Sequence, residues 1–85
     1  MGKYKFSKHA KLKFEILKEH GFPISKKQII DTIKKADKKE KGKSNRYISQ
    51  KPIDREHVLR VVYEKIDRKI VIITFYPGRR KYYEG

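Results

Sequence analysis

His57-Val58-Leu59-Arg60-Val61-Val62-Tyr63-Glu64 is followed, after Lys65-Ile66-Asp67-Arg68-Lys69, by Ile70-Val71-Ile72-Ile73-Thr74-Phe75-Tyr76. Both runs are rich in β-branched and aromatic residues, and the link between them is short enough for a hairpin. Alternate residues of a strand point to opposite faces, so Leu59, Val61 and Tyr63 share one side. Val71, Ile73 and Phe75 are expected to meet them there, giving a uniformly apolar face that something must cover. The other face carries Val58, Arg60, Val62 and Glu64, matched by Ile70, Ile72, Thr74 and Tyr76. With cover on one side only, this second face is expected to stay open, cationic and aromatic.

The cover lies upstream, where the period becomes helical. Ser7 is placed to N-cap a helix running to about His20, with Gly21 as its left-handed stop and Pro23 shortly after. Ala10, Phe14 and Leu17 form its core stripe, and His9, Lys13 and Ile16 border it. Ser25-Lys26-Lys27-Gln28 reads as a capping box, with Ile24 and Ile29 as a hydrophobic staple. Ile29, Ile30, Ile33 and Ala36 are the buried face of that second helix. Lys3 to Phe6 alternates as a short edge strand, and Asn45 to Gln50 reads as a strand closed by Lys51-Pro52. Residues 37–44 read as a mobile polar connection, Pro77-Gly78 as a turn, and residues 79–83 as a short final strand or tail. The expected fold is α+β: one domain over residues 1–85, with two N-terminal helices packed on one face of a twisted antiparallel sheet of about four strands.

Composition narrows the function. The chain has 85 residues, no Cys, and a formal net charge of +14 from 24 Lys and Arg against 10 Asp and Glu. The absence of Cys excludes disulfides, Cys-ligated zinc and thiol catalysis. Its longest apolar run, Ile70 to Phe75, is far shorter than the ~20 residues of a membrane helix. Met1 leads directly into Lys-rich sequence, so the expectation is a soluble cytoplasmic protein without membrane partners. Such a charge attracts polyanions, RNA and DNA among them. All six arginines (Arg46, Arg55, Arg60, Arg68, Arg79 and Arg80) follow residue 45, and Arg is the residue whose planar fork grips phosphate bidentately.

Metal or cofactor chemistry is not expected. His9, His20 and His57 are far apart in the sequence, and the five glycines form no phosphate-binding loop. What the residue types can support is cleavage of RNA by its own 2′-hydroxyl. Arginines would stabilise the phosphorane charge, and a base would take the 2′ proton. Tyr or Lys serves as that base only if neighbouring cations pull its pKa down from about 10. A cluster of Arg60, Arg79 and Arg80 around Tyr82 would do so, and His9 is the alternative base. Lys13, Arg46, Tyr47, Tyr76 and Lys81 are the expected RNA contacts, phosphates meeting cations and bases stacking on Tyr.

The order of elements, with Ser-Lys-His-Ala opening the first helix, Val-Leu-Arg-Val-Val-Tyr, Ile-Val-Ile-Ile-Thr-Phe-Tyr and a final Arg-Lys-Tyr, resembles the RelE/ParE toxin superfamily, nearest its small RelE- or BrnT-like members. The resemblance covers nearly the whole chain. It implies the toxin of a type II toxin–antitoxin system, an endoribonuclease cutting messenger RNA on the ribosome, with an acidic antitoxin as protein partner. By position it makes Arg60 the phosphate-binding arginine, Arg79 or Arg80 the second, and Tyr82 or Tyr83 the terminal tyrosine. Other members imply other outcomes: a ParE-like gyrase inhibitor, or a relative that binds RNA or DNA without catalysis.

Overall fold

A computed structural model of the chain describes residues 3–83. In it, strand β1 (Tyr4–Phe6) leads into helix α1 (Lys8–Glu19), then α2 (Lys26–Lys34). Strands β2 (Lys38–Lys41), β3 (Arg46–Pro52), β4 (His57–Ile66) and β5 (Lys69–Arg79) follow, and a helical turn, α3 (Arg80–Tyr83), ends the described chain.

Both long helices start and stop where their caps dictate. Ser7 Oγ accepts from the Ala10 N–H at 3.0 Å and itself donates to the Ile73 carbonyl at 2.8 Å, so the cap of α1 is anchored on β5. At the other end Gly21 has φ +86°, its N–H bonds the Lys18 carbonyl, and the Phe22 N–H bonds Leu17 at 2.8 Å. That is a Schellman closure, which needs a left-handed residue at Gly21. The capping box of α2 is formed in both directions between Ser25 and Gln28. Ile24 and Ile29, the staple pair, both lie in the core.

The sheet has five strands in the order β1-β5-β4-β3-β2 and is mixed. This corrects the expected four-stranded antiparallel sheet, because β1 pairs with β5 in parallel, Tyr4 opposite Ile70. The fifth strand is β2, formed by residues read from sequence as a mobile connection. It pairs with β3 through a turn in which Ser44 and Asn45 have φ of +53° and +62°. Four exposed, charged residues gave β2 no apolar alternation to reveal it. The β4–β5 hairpin closes through Asp67 and Arg68, both at positive φ as a tight primed turn requires. β5 also runs on through Pro77 and Gly78 to Arg79, where a turn was expected, and residues 80–83 are helical, not a strand.

α1 and α2 cover one face of the sheet, and the core between them holds Ala10, Leu17, Ile24, Ile29, Ile33, Leu59, Val61, Tyr63, Ile70, Ile72 and Phe75. Val71 and Ile73 are not among them. Val61 faces Phe75 and Val62 faces Thr74, but Tyr63 then faces Ile72, so Ile73 is an extra residue in β5. A bulge of one residue inverts the face of everything beyond it, which brings Ile70 and Ile72 into the core in place of Val71 and Ile73. No described helix is long and apolar enough to cross a membrane.

Two buried hydroxyls meet in this core. Tyr63 Oη and Ser49 Oγ are 3.0 Å apart, with the residues 2% and 0% exposed. Ser49→Ala strands the phenol and is expected to cost about 1–3 kcal/mol. Tyr63→Phe combined with Ser49→Ala should cost less than the sum of the single changes, measured by urea unfolding.

Candidate functional site

The face away from α1 and α2 is not the open surface expected. Val58 is fully buried on it, and Arg60 is only 6% exposed. The cover is α3. Gly78 stands opposite Val58 across the β4–β5 pair, and a side chain there would run into the Tyr83 ring. That vacancy lets Tyr83 lie over the sheet, with its ring centroid 4.3 Å from the Arg60 guanidinium. The Tyr83 carbonyl is held by Lys38 Nζ at 3.3 Å and Gln50 Nε2 at 3.4 Å. The Arg80 N–H bonds the Glu56 carbonyl at 2.8 Å.

Beneath Tyr83 each nitrogen of the Arg60 fork has a side-chain partner. Nε donates to Tyr76 Oη at 3.1 Å, Nη1 to Gln50 Oε1, and Nη2 to Glu40 Oε2 at 2.8 Å. Burial works against this charge, but the hydrogen bonds and charge of Tyr76 and Glu40 more than offset it and raise its pKa above the usual guanidinium value. Glu40 and Gln50 were not legible as partners, since Glu40 lies in the unrecognised strand β2. Glu64, on the same strand as Arg60, pairs instead with Arg46 at 3.0 Å.

The remaining site residues separate into groups. Arg79, Arg80 and Lys81 converge with Arg55 and Glu56 around a cleft of about 300 Å³ at the end of the β4–β5 pair. Tyr82 is exposed, with the Lys81 ammonium 5.2 Å from its ring. Tyr76 and Tyr83 belong with Arg60, so the tyrosine that contacts Arg60 at the C-terminal end is Tyr83. His9 and Lys13 lie on α1, across the sheet from Arg60, and the structure does not bring them to it. Tyr47 is on the helix side, its ring 5.7 Å from Tyr63, with the Lys65 ammonium 5.0 Å away. Arg46 lies on the outer face beside a shallow groove floored by Ile48 and Val62. Arg55, which the sequence singled out only as one of six arginines after residue 45, was not among the expected site residues; the β3–β4 connection brings it to the cleft.

Among the described residues, no three His, Asp or Glu are grouped so as to hold a metal ion. Three guanidiniums and an ammonium line one cleft, next to an aromatic cover, a set of groups whose chemistry suits an anion. No protein-family model, no curated protein and no solved structure matches this chain.

The geometry makes Arg60 structural first. Arg60→Ala is expected to lower stability by about 3 kcal/mol, because Gln50, Tyr76 and Tyr83 lose their common partner. Glu40→Gln keeps an acceptor for Nη2 and should cost less than about 1 kcal/mol. Chemical denaturation of the two variants checks both.

Proposed function

We propose that this chain engages single-stranded RNA through the Arg55, Arg79, Arg80 and Lys81 cleft and cleaves it by attack of the RNA 2′-hydroxyl, as a RelE-like toxin acting on messenger RNA. One observation carries the reading: four cations from two separate chain segments, the β3–β4 connection and the β5–α3 junction, face one cleft against a single carboxylate, Glu56. Phosphate oxygens suit such a cleft, since arginine donates in a planar fork and concentrated charge supports the phosphorane. Exposed Tyr82, beside Lys81, offers a ring on which a base can stack. The net charge of +14 supports an acidic antitoxin as the protein partner.

A second reading, RNA binding without catalysis, is favoured by Arg60. The arginine that the resemblance assigns to phosphate is buried and spends its donors on Tyr76, Gln50 and Glu40.

Binding of a fluorescent single-stranded oligoribonucleotide, followed by anisotropy across a salt series, tests the cleft. The log–log slope should be about −0.7 per phosphate contacted, and Arg55→Ala or Arg79→Ala should each make it shallower by about 0.7. Salt-insensitive binding, or slopes unchanged by these substitutions, would overturn the assignment. Mapping RNA 5′ ends after induction in a bacterial host separates the two readings: new ends inside translated messages support cleavage, and intact RNA supports binding alone.

A further inference from the structure

Beside the basic cleft lies a shallow depression of about 340 Å³ lined by Asp54, Arg55, Glu56 and His57. The two hollows share Arg55 and Glu56, so the depression that His57 lines adjoins the basic cleft. His57 opens β4, directly opposite Arg79 on β5. Two contacts hold its imidazole: ring Nδ1 lies 3.0 Å from Asp54 Oδ1 and 3.3 Å from Oδ2, and the ring packs edge-on against Phe22 at 4.9 Å. The His57 backbone N–H also donates to Asp54 Oδ1 at 2.8 Å.

The Asp54 carboxyl is held below the ordinary carboxylate value, first by the hydrogen bond from the Glu56 N–H and then by its bonds from His57. An ionised carboxylate only accepts, so Nδ1 must carry the proton, and in the neutral ring Nε2 is left with its lone pair. No described residue hydrogen-bonds Nε2, and the side chain is 25% exposed. A base held in one tautomer by a carboxylate, with no protein hydrogen bond among the described residues on its second nitrogen, is the arrangement that general-base catalysis needs. Asp54 and Phe22 contact the ring, Arg55 and Glu56 line the same depression, and Arg79 stands opposite His57 on β5.

We propose that His57, oriented by Asp54, is the proton-transferring catalytic residue of this protein, acting on an RNA 2′-hydroxyl. The proposal deepens the ribonuclease reading and rests on it. The 2′-oxygen gives its proton to Nε2, the 2′-O–P bond forms, and the P–O5′ bond breaks. The departing 5′-oxygen takes a proton from a solvent water, and the hydroxide left behind takes the imidazolium proton. The products are a 2′,3′-cyclic phosphate and a 5′-hydroxyl, and the cleft lined by Arg55, Arg79 and Arg80 would receive the phosphorane oxygens, on which the negative charge builds.

The test uses the full chain, a single-stranded oligoribonucleotide with and without ribosomes, and long-range proton–nitrogen NMR of the imidazole. His57→Asn is expected to slow cleavage by about 10²–10⁴-fold while RNA affinity changes less than about threefold. Wild-type His57 should show the Nδ1–H tautomer at neutral pH, and Asp54→Asn should redistribute it and slow cleavage with binding retained. Cleavage by His57→Asn at the wild-type rate would overturn the role of His57 and leave the ribonuclease reading standing. Salt-dependent binding by the wild type with RNA intact in both conditions would overturn cleavage and His57 together. Should His57→Asn fail to fold, the wild-type tautomer decides: an Nε2–H ring overturns the proposal.

Discussion

One guanidinium ties together most of the sheet. Arg60 stands on β4 and bonds Gln50 on β3, Glu40 on β2 and Tyr76 on β5, while Tyr83 of α3 lies over it. Stripping water from a cation costs several kcal/mol unless acceptors replace it, so each of those partners is constrained by the burial of this one charge. The constraint explains features that look unrelated. The exposed, lysine-rich strand β2 pairs with β3 and brings one of its residues, Glu40, to Arg60. β5 carries a glycine at position 78 because the Tyr83 ring must reach the guanidinium.

The two faces of the sheet are therefore built on different physics. The helix side is an apolar core with one internal hydroxyl pair, Ser49 and Tyr63. The outer side is a polar network centred on a charge, and its geometry depends on directional bonds. Where α3 turns away from this network, Arg79, Arg80 and Lys81 emerge toward Arg55. The same four-residue turn thus covers Arg60 with Tyr83 and sets Arg80 and Lys81 at the cleft. Arg60 and the cations of the cleft differ in what covers them.

Much of the helical layer could be read from local chemistry. Ser7, Gly21, the Ser25–Gln28 pair and the Ala10, Phe14, Leu17 stripe all act within a turn or two of their own position, where capping and periodicity are decided. The β4–β5 hairpin was legible for the same reason. Its core face beyond Val62 was not, because the extra residue Ile73 inverts the alternation and no residue type marks a bulge in an unbroken run of apolar side chains. Strand β2 was hidden because its strand character comes from pairing with β3 and from Glu40, not from any pattern of its own.

The candidate site divides in the same way. Residue type and charge, visible in the sequence, pointed to a basic C-terminal half and to Arg79, Arg80 and Lys81 as anion contacts. Only the tertiary structure separated Arg60 from that group, added Arg55, left His9 and Lys13 across the sheet, and placed His57 beside Asp54. The sequence by itself determined the caps, the helical stripe and the excess of positive charge, since each depends on near neighbours or on a sum over the chain. The fold decided which cations are buried and which face a cleft, because that depends on what lies above each side chain, and the covering residues come from distant parts of the chain.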